Sequence, residues 1–272
     1  MEVAMSSEDR YVLARGEEGA YRLRVVNRVH GPDTERLLRT AGLRPGMRVA
    51  DIGCGVGAVT AWIAREVGPD GEVVGVDIGE EQVRQARETM EAEGIRNARF
   101  VVAGAGDTGL PHGEFDLVFC RFVLMHVPDP VRALREMRDL LRPGGILVCE
   151  DGDFTSPFCE PPSPAFDRCF ELYSAVGARR GLDFRIGPKL YRMFLEAGFR
   201  KPNVALAQPV FARGEEKRLP EWTLQESAPA LLEAGLATPE EIDEVVTAMQ
   251  ALAEDESVLF GMARMTQVWA QR

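Results

Sequence analysis

The chain has 272 residues, 45% of them apolar, and a formal net charge of −11. That is enough apolar material for a full core and argues against general disorder. The acidic balance argues against a phosphate-backbone ligand, which needs a concentrated basic face. No apolar run is long enough to span a bilayer. The opening stretch MEVAMSSEDR lacks the basic start and apolar segment of a signal peptide. A cytoplasmic protein with neither membrane nor nucleic-acid partner is therefore expected.

In chain order, residues 8–40 read as one or two helices, broken at Gly31-Pro32. From 47 to 151 strand and helix then alternate. Strands are expected at 47–52, 72–78, 98–103, 115–120 and 145–150, mostly as short continuous apolar runs, the pattern of strands covered on both faces. Amphipathic helices lie between them, with Val59, Trp62, Ile63 and Val67 on one stripe, Val83, Ala86 and Met90 on the next, and Val131, Leu134, Met137 and Leu141 on a third. Five such alternations predict an α/β fold with a doubly wound, mostly parallel sheet. Beyond it, Phe166, Phe170 and Tyr173 have helical spacing, as do Leu190, Tyr191 and Phe194. NVALAQPVFA reads as one strand, 220–254 as two helices with the second starting near Thr238-Pro239-Glu240, and FGMARMTQVWA as a final strand.

The five cysteines, Cys54, Cys120, Cys149, Cys159 and Cys169, have neither paired nor metal-ligand spacing. Buried reduced thiols are the expectation, with no metal site.

The stretch VADIGCGVGAVT carries the first functional signal. Gly53, Gly55 and Ala58 fit G-x-G-x-x-G/A, a strand-to-helix turn where backbone approaches a ligand. In a dinucleotide site that ligand is a pyrophosphate on the helix N-terminus. Here Asp51 stands two residues before Gly53, where its carboxylate would repel phosphates but suit a cationic group. S-adenosylmethionine carries an ammonium and a sulfonium and no phosphate, so it is favoured over NAD. Asp77 ends the next strand, 24 residues after Gly53, placed to accept bonds from ribose hydroxyls. It would serve either cofactor, or simply cap the following helix.

With VVGVDIGEEQVRQAR, LPHGEFDLVFCRFVLMHVPDP and LRPGGILVCED, that stretch resembles the successive motifs of class I S-adenosylmethionine-dependent methyltransferases, most closely the small-molecule and quinone-type branch. The four motifs run in order over residues 49–151. The resemblance implies a Rossmann-like seven-stranded sheet. It implies that Asp51, Gly53, Gly55 and Gly57, with Cys54 among them, hold the methionine part of the cofactor. Asp77 would hold the ribose and Ile78 would pack on adenine. The acidic residue that usually meets the adenine amino group is replaced by Gly104; Asp107, or the backbone amide of Ala105, is the substitute. Cys120 and Arg121 would reach the methionine portion.

On the methyl-acceptor side, His126 is the base candidate, against a purely structural role in its loop. His30 and His112 have weaker claims. Arg121 could pair with Asp51 or Glu150, or hold an acidic substrate group. Glu150, Asp151 and Asp153 follow the fifth strand at the sheet's ligand-binding end, and one of them, Asp151 in particular, could orient substrate or act as base. Cys120 and Arg121 stand where metal-dependent relatives place an acidic ligand. CRFV replaces the N/D-P-P-Y motif of base- and amide-methylating relatives. Cysteine-based arsenite methylation has no supporting spacing.

The expected organisation is an N-terminal helical lid at 1–40, a cofactor-binding core at 41–152, and a completion of the sheet at 153–272 with cap insertions near 153–190 and 213–258. Tyr11, Tyr21, Phe154, Phe158, Tyr173, Phe184, Tyr191 and Trp222 are the aromatic stock outside the core. Such a cap would exclude water from transfer to a small organic acceptor, with oxygen slightly ahead of nitrogen or carbon as the nucleophile. Two alternatives stand beside this reading: an S-adenosylmethionine-binding protein that transfers no methyl, and an NAD-dependent oxidoreductase. The sequence leaves the oligomeric state open, a homodimer included.

Overall fold

The structure is a computed structural model and describes residues 17–272. The first part of the expected lid, with Tyr11, lies outside the described residues. The elements in order are α1 (Glu17–Ala41), β1 (Arg48–Ile52), α2 (Ala58–Val67), β2 (Glu72–Asp77), α3 (Glu80–Ala92), β3 (Ala98–Val102), β4 (Phe115–Arg121), α4 (Pro130–Leu140), β5 (Leu141–Asp153) and β6 (Phe158–Glu160). They continue with α5 (Pro164–Arg179), α6 (Leu190–Glu196), β7 (Asn203–Ala207), β8 (Val210–Phe211), α7 (Leu219–Glu233), α8 (Pro239–Glu254), β9 (Leu259–Gly261) and β10 (Arg264–Gln271).

Seven strands form the main sheet in the order β3-β2-β1-β4-β5-β10-β7. The first five are parallel, and β10 runs antiparallel to both β5 and β7. Chain order reverses direction between β1 and β4, and in an open α/β sheet that switch point is where ligands bind, beyond the carboxyl ends of the strands. Register brings the relevant ends level: Ile52 lies opposite Val76 on one side and Cys120 on the other, and Arg121 lies opposite Glu150.

Both faces of the sheet are covered. Val49, Val73, Leu117, Phe119 and Val148 pack with Ile63, Ala64 and Val67 of α2. Ala50, Ile52, Val74, Val76, Val118 and Cys149 belong to a larger cluster that continues through α4 into the cap. Helix α1 serves both, with Val25 and Val29 in the larger cluster and Leu37 and Leu38 against α2. That double anchorage explains one departure from expectation: α1 runs unbroken through Gly31-Pro32. Pro32 removes one helical donor, but the buried stripe on either side holds the helix together.

The second departure is NVALAQPVFA, which is two strands rather than one. β7 joins the main sheet, while β8 joins β6 and β9 in a small sheet of order β6-β9-β8. Pro209 lacks the N–H that a continuous ladder needs, and its carbonyl instead accepts from Met262 N. The third is β5, which begins at Leu141 rather than 145, with a register shift between Phe115 and Leu117 on its partner strand.

Helices α5, α7 and α8 pack together over the small sheet. Lys217 ties them down. It is fully buried, and its Nζ donates to the carbonyls of Asp255 (2.6 Å), Val258 (2.9 Å) and Ala212 (3.3 Å), over the Phe260 ring. An ammonium has three N–H donors, so three carbonyls satisfy it completely.

Candidate functional site

β1, RVADI, carries the carboxylate of Asp51 one residue before its end, at the switch point. The chain then turns on Gly53, at φ +74°. A Cβ there would lie 2.2 Å from Val123 Cγ2, so only glycine allows the β1 turn and the β4 loop to approach this closely. Gly57 precedes α2 at φ +81°, and no side chain caps the helix. The first backbone N–H groups of α2 are thus left for an anionic group. Gly57 itself faces Ala86 and Met90 of α3, not the cavity.

A cavity opens above these ends, with a volume of about 520 Å³. That lies in the range of small-molecule sites. One end is lined by Asp51, Gly53, Cys54, Gly55, Asp77, Ile78, Gly79, Gln82, Gly104 and Ala105. The other is apolar and aromatic, built from Phe122, Phe154, Phe170 and Tyr173 with Leu219 and Pro220 of α7 and Met262 of the β9–β10 link. Asn27, His30, Arg121 and His126 also line the wall.

Asp51 is buried, and Thr60 Oγ1 donates to its Oδ2 at 2.6 Å. Burial lifts its pKa to about 6 against the opposing pull of Thr60 and Arg121. A carboxylate held at this cost gains from any cation placed beside it. Asp77 Oδ2 accepts from Gly55 N (2.8 Å) and Oδ1 from Gly79 N (3.0 Å), which fixes the carboxylate between the glycine turn and α3.

Arg121 makes no direct ion pair with Asp51 or Glu150. Its Nη1 donates to Thr34 Oγ1 (2.8 Å) and its Nη2 to Asn27 Oδ1 (3.0 Å). The Thr34 hydroxyl passes the link on to Glu150, whose other oxygen accepts from Gln267 Nε2 at 2.9 Å. Burial lowers the Arg121 pKa while Glu150 and Asp51 hold it up, and burial raises that of Glu150.

The neighbouring Phe122 sits at φ +55°, a strained backbone for a residue with a Cβ. Its N–H donates to Glu150 O (3.1 Å), and its ring meets the His30 ring edge-on at 5.0 Å. His126 packs edge-on against Phe184 at 5.4 Å. Burial, with a nearby arginine in each case, holds both His30 and His126 at about 3, so both are neutral imidazoles at physiological pH.

Several expected site residues lie elsewhere. Asp151 is buried away from the cavity, where its Oδ2 accepts from Leu124 N (2.9 Å) and Met125 N (3.3 Å) and its Oδ1 from Gly152 N (3.0 Å). It shapes the loop that carries His126 rather than facing an acceptor. Cys120 is buried in the apolar core with its Sγ 3.2 Å from that of Cys149. Asp107 is exposed and does not line the cavity, and at Gly104 an added Cβ would meet nothing within 4 Å. Gly57 acts at the helix start, as described above. His112 is an exposed partner of Glu136. Sequence reasoning missed Asn27 and Gln82 and underrated His30. His30 and Gln82 are polar residues on otherwise buried helical stripes, which is the signal that could have found them.

No cluster of three or more metal-ligating side chains is present, and no helix is long and apolar enough to cross a membrane, among the described residues.

Residues 43–180 match the family model described as a methyltransferase domain. The chain is 36% identical over 179 residues to an uncharacterised 37.1 kDa transposon protein of Streptomyces fradiae, covering 64% of this chain and 50% of that one. It is 41% identical over 140 residues to the ubiquinone/menaquinone biosynthesis C-methyltransferase UbiE of Yersinia enterocolitica, covering 50% and 55%. The chain thus spans about half the length of these curated relatives. A Bacillus halodurans crystal structure, solved as that of a candidate methyltransferase, shares the fold with a TM-score of 0.63 at 21% identity, covering 88% of this chain and 98% of that one.

Proposed function

The chain belongs to the methyltransferase-domain family, and from that premise we propose that it binds S-adenosylmethionine and transfers its methyl group to a small organic acceptor. One observation carries the reading. A single cavity joins a polar end built on the glycine turn, Asp51 and Asp77 to an apolar end built on the cap.

The residues present fit that cofactor. Asp51 is a buried carboxylate suited to its ammonium and sulfonium charge. Asp77 suits the ribose hydroxyls, Ile78 the purine face, and the uncapped start of α2 the carboxylate. A pyrophosphate in the same place would meet the Asp51 charge, which is why a dinucleotide fits less well. The cofactor supplies a methyl group on a positively charged sulfur, already activated as an electrophile.

The chain's own task is then positioning and exclusion of water. Phe122, Phe154, Phe170 and Tyr173 offer flat apolar surface to the acceptor, and α1 with the 153–190 and 213–258 segments serves as lid and cap. His126 and His30, held neutral, are weak proton acceptors and serve better as hydrogen-bonding groups. Arg121, with its positive charge at the wall, stabilises an anionic oxygen. These groups favour an acceptor whose nucleophile is already acidic, such as a phenol or enol. Oxygen is the first nucleophile to test, and an electron-rich ring carbon, after the printed name of the UbiE relative, is the second.

The test is a panel of phenols, enols and reduced quinones read by release of S-adenosylhomocysteine. Turnover on any class supports transfer. Saturable cofactor binding without release across the panel would favour the alternative, a protein that binds S-adenosylmethionine and transfers nothing.

A further inference from the structure

Helix α1 is continuous through Gly31-Pro32, but the pair weakens it there. Gly31 is a poor helix former, and Pro32 has no N–H, so the carbonyl of Arg28 loses its helical donor in mid-helix. The halves on either side of that point do different work. Every α1 residue on the cavity wall, Arg22, Leu23, Val26, Asn27 and His30, precedes Gly31. Beyond Pro32 the helix belongs to the body of the protein. Leu37, Leu38 and Ala41 pack in the apolar cluster with β1 and α2, and the Thr34 hydroxyl bonds Glu150 of β5.

The first half is tied to the cap. Arg22 Nε donates to Glu226 Oε2 of α7 at 2.7 Å, and both side chains are at least nine-tenths buried. Tyr21 and Arg28 both donate to Glu215, and Arg28 Nε lies 3.5 Å from Glu216 Oε1. The Tyr21 ring meets Trp222 of α7 edge-on at 5.8 Å. Each of these contacts starts from a residue before Gly31 and ends in the 213–258 cap segment. Toward the sheet, the same half is held by Val25 and Val29 in the larger apolar cluster and by the bond from Arg121 to Asn27.

We infer that residues 17–30 form a lid that swings on Gly31-Pro32, latched shut on the cap by the ion pairs of Arg22 and Arg28 with Glu226, Glu215 and Glu216. A helix-breaking pair lets a few backbone angles absorb such a motion. Swinging the first half out uncovers the whole α1 wall of the cavity while residues 34–41 stay docked. The Arg22–Glu226 pair is the main catch, because it is buried, whereas the Glu215 contacts are exposed and weakened by solvent. The device goes beyond the transfer reading, since it serves whatever ligand fills the cavity.

Amide hydrogen exchange on the full, ligand-free chain tests it. A detached helix of this length is marginal in water, so the lid's amides exchange whenever it lets go. Amides 21–30 should exchange at least about tenfold faster than 35–41, with the step at Gly31-Pro32. Glu226→Gln should quicken 21–30 by about a further tenfold and leave 35–41 unchanged. Glu215→Gln, which breaks only exposed contacts, should quicken them about threefold. Pro32→Ala restores the missing N–H and should slow 21–30 by about threefold. A smooth gradient of protection along α1, or unchanged exchange in Pro32→Ala, would overturn the hinge. Equal acceleration of both halves by Glu226→Gln, or no acceleration by either glutamate variant, would overturn the latch.

Discussion

The two ends of the cavity are built in opposite ways. The cofactor end comes from chain segments that each turn at the end of a strand: the glycine turn after β1, Asp77 at the end of β2, and Gly104-Ala105 after β3. Its polar groups are held by short bonds within those turns, as Asp77 is by the amides of Gly55 and Gly79. The apolar end comes from α1, the β4 loop, α5, α7 and the β9–β10 link, which meet only in the folded molecule. One end is written in local backbone geometry and the other in tertiary packing, so each can be disturbed without the other.

The largest separation should come from the cap. Lys217→Met leaves three buried carbonyls without their donor, and should cost about 3 kcal/mol of stability in urea unfolding. Cofactor affinity should stay within about threefold, because no residue Lys217 touches lines the cofactor end. A loss of both together would mean that the ends are one unit.

Asp77→Ala should be the converse. Removing a carboxylate that bridges two backbone amides and faces the cavity should weaken S-adenosylmethionine binding about a hundredfold by calorimetry, since bonds to a charged group are the stronger ones.

A pH series sharpens the comparison further. The folded Asp51 titrates near 6, above the usual carboxylate value, so its neutral form is favoured in the fold. Its contribution to stability is therefore greatest below the ordinary carboxylate range and falls as pH rises through about 6. Attraction of a cationic ligand runs the other way, needing the ionised form. Cofactor affinity should fall about tenfold between pH 7 and pH 5, with proton release on binding near pH 6. Asp51→Asn should remove that dependence.

The smallest effect belongs to the aromatic wall. Phe170→Leu should leave cofactor affinity within about twofold while raising the acceptor KM, because the wall contributes apolar contact and little charge.

Legibility followed the same division. The parallel strands and the glycine turn were readable because each combines a short apolar run with residues that only one backbone geometry requires. Gly53 and Asp77 are both of this kind. Positions were misjudged where burial direction decided the outcome. Cys120 and Asp151 sit at the correct strand ends, yet Cys120 packs into the apolar core and Asp151 is consumed by loop amides. The Gly31-Pro32 break was expected from local propensity, which α1 overrides by packing on both sides of it. Gln82 and His30 became legible only when their helical stripes were known to be buried. A polar residue on an apolar stripe is the mark to look for.

The most direct measurement is calorimetric titration of ligand-stripped protein with S-adenosylmethionine and, in parallel, with NAD. Saturable binding of S-adenosylmethionine alone is expected, abolished or strongly weakened in Asp77→Ala. Binding of NAD alone would contradict it, because Asp51 would then tolerate a pyrophosphate and the assignment of the cavity's polar end would fall.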